Sequence, residues 1–584
     1  MDSQKNSTKS AWTPLFFSVV MVVGMIIGFN LRDTLLNKRD VETIIKRNDR
    51  LEEIIDLIQE KYVDSVDEED LYTNAISGIL KNLDPHTNYI SADDMDDETE
   101  DLDGTFSGIG VEFAIIRDTI VVTSVVEKGP ASQAGINIGD QLIKVGDMVV
   151  AGNELAMERI LHLIRGKQKS RVLLTLRDAF TGKLRDLPVT RDLITVSSID
   201  AALMLNEHTG YIKVNQFASN TYQEFREALD SLMKKGAKQL VLDLRDNPGG
   251  YLEAATSIAN EFLDGRKMIV FTKGLHMDKT EYRADDNGRF DRGRLVVLIN
   301  ESSASASEII AGAMQDWDRG VIIGRRSFGK GLVQEEFDLP DGAGLRLTIA
   351  KYYTPSGRCI QRPFEHGRDA YMADYRKRFT RELLGVIEAD TVTDTTTYYT
   401  ANKRKVYGGG GIKPDISMAY DTTEFAGSLA ELINGAELKT AVWDYYARNH
   451  KALKYRDIKH FISNFYDEDN IVKMYMRHVK PKDHPRVVRL LENEKYAAYF
   501  RLHLKAQLAR LLFHDNGYYA VLLTGDRVIT RSMEVLGSDW YKAIITGQPF
   551  HPDDALGVSG IGTKGFAAVG QQPVPAGNGG MIIQ

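Results

Sequence analysis

The middle of the chain alternates continuous apolar runs with amphipathic segments. Runs rich in Leu, Ile and Val are typical of strands that are buried on both faces. One such run lies at residues 295–299; further strands are predicted at residues 211–217, 240–244 and 321–324, and helices over residues 222–234 and 252–263. Because predicted strands and helices alternate, residues 193–424 are predicted to form a mixed α/β core.

A pattern of shorter strands occupies residues 105–192. Strands are predicted at residues 120–126, 141–145 and 172–176, with short helices from residue 130 and over residues 157–164. This pattern resembles a PDZ domain, and the turn Gly108-Ile109-Gly110 fits the loop that binds a peptide carboxylate in such domains. Successive N–H groups in a glycine-rich turn hold a terminal carboxylate, while the next strand edge pairs with the peptide.

Before the PDZ-like pattern, residues 41–104 carry two apolar faces at helical spacing and are predicted to be a helical segment. Such a segment packs either on its own chain or on a second subunit, so a homodimer or higher oligomer is left open. The acidic run at residues 93–103 lacks the ligand spacing of a calcium-binding loop. We expect a solvated linker there.

The N-terminus contains an uncharged stretch at residues 15–29. With its uncharged neighbours this stretch approaches the ~20 residues that span a bilayer. No small-residue cleavage site follows it before Arg32, which favours an uncleaved anchor over a removed signal peptide. Residues 1–40 are therefore predicted to be a cytoplasmic stub and a transmembrane helix.

Composition narrows the remaining possibilities. The formal net charge is −9 and the chain has no basic stripe, so nucleic acid is not expected as a partner. One cysteine, Cys359, excludes internal disulfides and metal clusters held by several cysteines. Residues 425–550 have helical patterns to which no function is assigned. Residues 551–584 are rich in Gly and Pro and are expected to be disordered.

Candidate chemistry lies where the strand at residues 295–299 passes into a helix near Glu308. The turn between them is Ser302-Ser-Ala-Ser305-Ala-Ser. A strand end fixes a nucleophile there, and the N–H groups of a helix start stabilise an oxyanion. Lys330, on a glycine-flanked turn, is the candidate base, because burial would lower the pKa of its amine.

Other interpretations of these residues compete with the catalytic one. Serine- and alanine-rich turns often serve only close packing. Residues 324–331 match most of a phosphate-binding loop, but Gly331 replaces the Ser or Thr that holds Mg²⁺, and a strand pattern follows instead of a helix. A Ser-His-Asp site is weaker still, because the chain has no Gly-x-Ser-x-Gly elbow.

Five ordered motifs resemble those of the C-terminal processing peptidases, a family of PDZ-containing serine endopeptidases. The motifs are Asp243-Leu-Arg-Asp-Asn-Pro-Gly-Gly250, Ser303-Ala-Ser-Ala-Ser-Glu-Ile309, residues 324–334, Tyr353-Thr-Pro-Ser-Gly357 and Gly411-Ile-Lys-Pro-Asp415. The resemblance implies that Ser305 is the nucleophile, Lys330 the base and Gln334 the residue that orients the base. We also expect the N–H of Ala306, with that of Gly249 or Gly250, to form the oxyanion hole, since glycine allows close backbone approach.

The predicted fold is a mixed α/β multidomain chain with an N-terminal transmembrane helix, a helical segment, a PDZ domain, an α/β Ser-Lys protease core and a helical C-terminal extension. The predicted protein is a single-pass protease of the inner membrane, with its catalytic part in the periplasm. Substrate C-termini would bind the PDZ domain, and Ser305 would cut the chain through an acyl-enzyme without metal or organic cofactor.

Two rival functions come from other classes, a catalytically silent PDZ adaptor and a small-ligand carrier, because fold alone never fixes function. The intact set of Ser305, Lys330 and Gln334 argues against both. Arg165, at the end of a predicted PDZ helix, is the candidate residue for coupling the PDZ domain to the catalytic unit, and the alternative is a solvated surface arginine without such a role.

Overall fold

The computed structural model describes residues 38–383, 396–421, 423 and 427–549. Its N-terminal part contains α1 (Lys38–Lys61), α2 (Glu68–Leu80), β1 (Asn88–Ile90) and α3 (Ala92–Asp103). The predicted helices are confirmed, but the linker expected at residues 93–103 is wrong, because those residues belong to α3. Ser91 caps this helix by accepting from the Asp94 N–H, and acidic residues in the first turn suit the positive end of the helix dipole.

The transmembrane part of the predicted fold class needs correction. Over the described ranges, no helix is both long enough and apolar enough to cross a bilayer. The uncharged stretch at residues 15–29 lies outside the described residues, as does the predicted tail at residues 551–584.

The PDZ-like pattern corresponds to a small β-rich unit. Its elements are β2 (Thr105–Gly108), β3 (Val111–Ile116), β4 (Thr119–Val125), α4 (Pro130–Ala134), β5 (Gln141–Val145), β6 (Met148–Val149), α5 (Met157–Ile164), β7 (Arg171–Arg177), β8 (Leu184–Thr190) and β9 (Asp192–Thr195). Strands β3, β4, β5, β7 and β8 form an antiparallel sheet in that order, and β2 pairs with β9. Among the described strands, β3 pairs only with β4 and is therefore an edge strand.

The α/β pattern corresponds to a larger unit that follows. Its elements are β10 (Ile199–Met204), β11 (Thr209–Val214), α6 (Thr221–Lys234), β12 (Gln239–Asp243), α7 (Leu252–Asn260), β13 (Met268–Lys273), β14 (Thr280–Arg283), β15 (Arg294–Ile299), α8 (Ala306–Asp316), β16 (Val321–Gly324), β17 (Leu332–Asp338), β18 (Gly344–Tyr353), α9 (Gly367–Leu383), β19 (Thr397–Tyr399), β20 (Lys405–Tyr407) and β21 (Ile416–Ser417). The alternation of strands and helices predicted for the core is confirmed.

The last part of the described chain is helical. It contains α10 (Gly427–Asn434), α11 (Ala436–Asn449), α12 (Ile458–Asn464), α13 (Glu468–His478), α14 (His484–Leu491), α15 (Glu494–Leu522), α16 (Arg527–Gly537) and α17 (Trp540–Ile545), with 3-10 turns at Pro481–Asp483 and Leu523–Gly525. Side chains from α10 to α15 enclose a hydrophobic core that is separate from those of the other units.

The main sheet of the α/β unit is buried on both faces. Its strand order is β10-β11-β12-β15-β16-β21, and neighbours are parallel from β11 onward. In β15, Leu295 and Val297 pack with α6, α7 and α8, whereas Val296 and Leu298 pack with α16 and α17. Burial of both faces explains why the run at residues 295–299 is continuously apolar instead of alternating.

A second sheet carries the candidate base. Strand β18 pairs with β17 along one edge and with β1 and β13 along the other, and β14 pairs with β13. Strand β17 begins shortly after Lys330 and contains Gln334. Because β1 comes from the N-terminal segment, that segment is part of the sheet that holds the candidate base.

Candidate active site

The turn that carries Ser305 is fixed by hydrogen bonds at the end of β15. The Asn300 N–H donates to Ser303 Oγ (2.9 Å), and the Ser303 hydroxyl donates to the Leu244 carbonyl (2.7 Å). Ser305 is the N-cap of α8 and has φ 52° and ψ −111°, a backbone conformation that L-residues rarely adopt. Every residue of α8 is buried, so the packing of this helix holds the strained serine in place.

The glycine motif after β12 lies against the serine turn. Gly249 has φ 107°, and a Cβ at this position would lie only 2.8 Å from the Ser305 Cβ, so the close approach requires glycine. The Gly249 N–H donates to Asn247 Oδ1 (2.9 Å). The N–H groups of Gly250 and Ala306 make no hydrogen bond within the described chain, which leaves them as candidate oxyanion donors.

Lys330 lies in the turn between β16 and β17. Its Nζ donates to Gln334 Oε1 (2.7 Å), and Gln334 Nε2 donates to the His86 carbonyl (2.6 Å). The second bond fixes the amide with its oxygen toward the lysine, since an amide has a distinct donor end and acceptor end. The structure thus brings Lys330 and Gln334 together and adds His86, which sequence reasoning missed.

His86 is positioned by a turn just before β1. The Asp84 carboxylate accepts from the N–H groups of His86 (2.9 Å) and Thr87 (3.0 Å), a turn type that Asp favours. Burial, with the nearby positive charge of Lys330, lowers the pKa of the His86 imidazole to about 4. The stretch Asp-Pro-His-Thr signals a turn in the sequence, but nothing in it indicates contact with Gln334.

The surroundings of Lys330 favour its neutral form. Burial lowers the pKa of its amine, and the positive charge of Arg346 lowers it further, while Asp84 and Glu308 act in the opposite direction. Arg346 is itself held by Glu98 (3.0 Å) and Glu336 (2.9 Å). A neutral amine has the lone pair that a general base requires.

Glu308 joins the serine turn to the lysine turn. Its carboxylate is fully buried and accepts four hydrogen bonds, from the N–H groups of Ser305 (2.9 Å), Gly329 (2.7 Å) and Lys330 (2.9 Å) and from the Ser327 hydroxyl (2.5 Å). Burial raises its pKa to about 7, although the four donors act to lower it. Sequence reasoning used Glu308 only to mark the start of a helix. Its spacing from Ser305 is that of a capping box, which was the available signal.

One cavity of about 1030 Å³ contains the candidate catalytic groups. It is lined by Ser305, Lys330, Gln334, Ala306, Gly249 and Gly250, and by apolar side chains that include Leu252, Ile309, Leu332 and Tyr352. In the part of the chain that is described, no hydrogen bond joins Ser305 Oγ to Lys330 Nζ. Such contacts often tighten only when substrate binds. Over the same ranges, no three His, Cys, Asp or Glu side chains are grouped as metal ligands.

The PDZ-like unit presents its candidate carboxylate loop at the start of β3. The Ile109 carbonyl accepts from the Ala131 N–H (2.8 Å), and the Gly110 carbonyl accepts from the Val126 N–H (3.0 Å), so both carbonyls are bonded inside the unit. Gly108 is paired with β9 through β2. The loop therefore has a fixed backbone directly beside the free edge of β3.

Arg165 contacts α3. Its Nη1 lies 3.7 Å from Glu100 Oε2, and its guanidinium lies over the Phe106 ring at 5.0 Å from the centroid. The same helix lines the active-site cavity through Glu98, Thr99 and Leu102. The helix α3, for which sequence reasoning expected only a linker, therefore connects the PDZ-like unit to the cavity.

Comparison with known families defines the class of the protein. The model of peptidase family S41 matches residues 208–366, a PDZ domain model matches residues 121–178, and the model of the activating protease CtpB N-terminal domain matches residues 30–99. A family of unknown function matches residues 429–515. The chain is thus a serine-type peptidase with a PDZ domain.

Individual relatives narrow this class. The carboxy-terminal-processing protease of Bartonella bacilliformis is 36% identical over 317 residues, which cover 53% of this chain and 72% of that protein. The carboxy-terminal processing protease CtpA of Bacillus subtilis is 31% identical over 415 residues, which cover 70% and 87%. A solved structure, the photosystem II D1 C-terminal processing protease, is 30% identical, with coverage of 53% and 88% and a TM-score of 0.30. By its sequence relatives, the chain belongs to the carboxy-terminal processing proteases.

Proposed function

We propose that Ser305 is the nucleophile, Lys330 its general base and Gln334 the residue that orients the lysine, in an endopeptidase that forms an acyl-enzyme. The observation that carries this proposal is the half-buried Lys330 side chain, whose amine donates to Gln334 in the cavity that Ser305 also lines. A lysine whose pKa is lowered by burial can accept the serine proton, whereas a fully protonated ammonium group cannot.

The proposed reaction begins when Ser305 Oγ attacks the scissile carbonyl and its proton moves to Lys330 Nζ. The N–H groups of Ala306 and Gly250 stabilise the oxyanion, while the Gly249 N–H supports the loop through Asn247. Lys330 then returns the proton to the leaving amine, and the C–N bond breaks to leave an ester on Ser305. A water molecule hydrolyses this ester, again with Lys330 as the base.

The proposed substrates are polypeptides whose free C-terminus binds the PDZ domain. The edge of β3 is unpaired among the described strands, so an extended peptide can add to the sheet there. The loop at residues 108–110 lies at the start of that strand, beside the position where the peptide carboxylate would end. The names of the relatives support processing near a carboxyl terminus.

Removing either catalytic group tests the mechanism. Ser305→Ala and Lys330→Ala are each expected to lower kcat/KM for unfolded β-casein by at least about 1000-fold, because nucleophile and base act as a unit. Lys330→Arg should be equally inactive, since a guanidinium stays protonated. Circular dichroism should show that each variant remains folded.

Matched controls replace the same residue types nearby. Ser302→Ala changes another serine of the same turn, and Lys351→Ala changes an exposed lysine of β18. Both should keep kcat/KM within about twofold of the wild type, as is usual for substitutions away from the reacting atoms. Turnover near the wild-type value in Ser305→Ala or Lys330→Ala would exclude the proposed dyad.

The silent-adaptor alternative is distinguished by trapping the intermediate. Rapid acid quenching during turnover, followed by mass spectrometry, should show the peptide that contains Ser305 increased by the mass of an acyl fragment. An adaptor would bind C-terminal peptides and leave that mass unchanged.

A further inference from the structure

The C-terminal helices contact the PDZ domain and the protease sheet at the same time. Trp443 of α11 is 4% exposed and packs with Ile116 and Val121 of the PDZ sheet. At the other end, apolar side chains of α16 and α17 cover one face of the six-stranded sheet. Because α10 to α15 enclose a hydrophobic core of their own, this region can act as one rigid unit that joins the two contacts.

We infer that residues 427–549 form a brace that fixes the PDZ domain relative to the active-site cavity and thereby sets how efficiently a PDZ-bound substrate reaches Ser305. The position of the brace is inferred only from its contacts with the PDZ domain and with the six-stranded sheet. Its effect on cleavage rests on the proposed function, since it requires that the PDZ domain deliver substrate to Ser305.

The brace uses the side of β3 that the PDZ core does not use. Phe113 and Ile115 pack in the PDZ core, whereas Ala114 and Ile116 pack in the cluster around Trp443. This division follows from strand geometry, because successive side chains point to opposite faces of a sheet. The hydrogen-bonding edge of β3 stays available to a peptide. Brace and substrate can therefore bind the PDZ domain together.

Charged pairs border the apolar contact and define its orientation. Arg510 Nη2 lies 3.0 Å from Glu112 Oε2, and Arg117 Nη2 lies 2.5 Å from Asp444 Oδ1. Charge complementarity of this kind fixes the register of two surfaces more than it strengthens their contact. Gly139 sits so close to the Trp443 ring that a Cβ there would approach it to 2.8 Å.

A single helix, α15, reaches both contacts and bends between them. Its ladder is interrupted at Phe513 (φ −137°, ψ 16°) and His514 (φ 57°, ψ −157°). Before the bend, Leu511 and Arg510 contact the PDZ domain. After it, Asn516 Oδ1 accepts from the Ala202 N–H of β10 (2.8 Å). The non-helical residues thus lie between the half of α15 that contacts the PDZ domain and the half that contacts β10. The bend at these residues orients each half toward its contact.

The two ends of the brace differ in strength. At the protease end, Arg294 Nη1 donates to the carbonyls of Leu536 (2.7 Å) and Ser538 (2.9 Å), next to the apolar face covered by α16 and α17. At the PDZ end, the Arg510–Glu112 ion pair is about half exposed (42% and 50%), and Arg117 of the other pair is 63% exposed. Local opening begins where few apolar contacts are buried, so the PDZ end opens first.

A loosened PDZ domain delivers its substrate less efficiently. Once a substrate C-terminus is bound, the rest of its chain reaches Ser305 at an effective concentration set by the geometry of the connection. A fixed PDZ domain holds the bound substrate close to Ser305 and keeps this effective concentration high. A mobile PDZ domain lets the substrate sample a larger volume, so the effective concentration falls. Breaking the PDZ end should therefore impair substrates that use the PDZ domain and spare those that do not.

Hydrogen–deuterium exchange of the full chain tests the placement of the brace. Arg510→Glu puts like charges at the PDZ end and should raise exchange over residues 111–123 by about fivefold or more, while exchange in β5 and β7 stays unchanged because the PDZ core remains folded. Adding Glu112→Arg to that variant should restore exchange toward the wild-type value. Arg501→Glu makes the same change on α15, where Arg501 pairs with Asp469, and should leave the PDZ domain unaffected.

Cleavage assays on the same variants test the functional part. Arg510→Glu should lower kcat/KM for β-casein by about three- to tenfold and leave that for a short peptide with an amidated C-terminus unchanged. Unchanged exchange in Arg510→Glu would overturn the brace. Raised exchange with unchanged β-casein cleavage would overturn its role in delivery. Failure of the Ser305 mechanism would appear separately, as turnover retained in Ser305→Ala, and would not alter the exchange result.

Discussion

The polar contacts around Lys330 centre on a fully buried carboxylate, whereas the ion pair between the PDZ domain and α3 is partly exposed. Glu308 is fully buried and holds the serine and lysine turns through four hydrogen bonds of 2.5–2.9 Å. Arg165 and Glu100 lie 3.7 Å apart, and each side chain is about one-third exposed (33% and 32%). Hydrogen bonds to a buried charge contribute more than exposed ion pairs. The proposed catalytic groups therefore keep one geometry, while the PDZ domain can be shifted at a smaller cost in free energy.

The helix α3 stands between these two regions. It contacts the PDZ domain through Glu100, and Glu98 holds Arg346, whose charge lowers the pKa of Lys330. Asp103 Oδ1 accepts from the Tyr251 hydroxyl (2.9 Å) beside the glycine motif. A displacement of the PDZ domain would therefore be transmitted through α3 to the surroundings of Lys330, the proposed base. Substitutions placed along this route, from the cavity outward, should have progressively smaller effects.

Glu308→Gln should have the largest effect of the three. An amide has one acceptor oxygen and brings N–H donors, so it cannot satisfy the donors of Ser305, Lys330 and their neighbours. The free energy of unfolding should fall by about 1–3 kcal/mol per donor left unpaired. Misplacement of the turns should lower kcat by about 100-fold, with KM changed much less. Chemical denaturation and steady-state kinetics measure these effects.

The control for this substitution is Glu335→Gln, which changes an exposed glutamate that also lines the cavity. It should leave the free energy of unfolding nearly unchanged and kcat within about twofold of the wild-type value, as expected for an exposed site. If Glu308→Gln were equally mild, the buried bonds around the base would not hold the catalytic geometry, and the contrast with the PDZ domain would disappear.

Arg346→Gln should have an intermediate effect that depends on pH. Burial is the main cause of the lowered pKa of Lys330, and the Arg346 charge adds to it. Removing that charge also leaves Glu98 and Glu336 unneutralised, so the pKa of Lys330 should rise. The proposed base is active when neutral, so the acid limb of the kcat/KM profile should move to higher pH. Activity on that limb should fall roughly threefold and recover at alkaline pH.

A pH profile of kcat/KM measures this shift directly. Lys351→Gln removes a positive charge from the same strand, on an exposed side chain, and should leave the profile in place. A uniform loss of activity at every pH in Arg346→Gln would show that the arginine acts on binding or folding and not on the charge state of Lys330.

Arg165→Ala should have the smallest effect. Its partly exposed pair with Glu100 has a long separation of 3.7 Å and is worth about 1 kcal/mol or less, so stability should hardly change. Cleavage of β-casein should fall by about twofold, because the contact with α3 is lost, while a C-terminal peptide should bind with unchanged affinity. Calorimetric titration and kinetics measure the two quantities. Arg159→Ala, on the exposed side of the same helix, is the control. Lost peptide binding would mean that Arg165 supports the groove instead.

The sequence located most of the elements that carry the site, with errors at the ends of some of them and one helix missed. The strand predicted at residues 211–217 ends earlier, at Val214, since Phe217 leaves the strand to bond with Gly249 and Tyr251. The helix predicted at residues 252–263 ends at Asn260. At residues 93–103, dense negative charge suggested a linker, but capping by Ser91 and contacts with the core stabilise a helix. Local composition could not reveal those partners.

What the sequence determined by itself was local: a core strand, a serine turn and a helix start at Ser305, a glycine-flanked Lys330, and a PDZ pattern with its own loop. Hydrophobic periodicity and the residues that favour turns are patterns of a few consecutive residues, so they can be recognised in the sequence. Only the tertiary structure decided that Gln334 bonds to the carbonyl of His86, that Glu308 joins two turns, and that the C-terminal helices reach both the PDZ domain and the sheet. These contacts join residues far apart in sequence, and packing of separate units, which no local pattern encodes, brings them together.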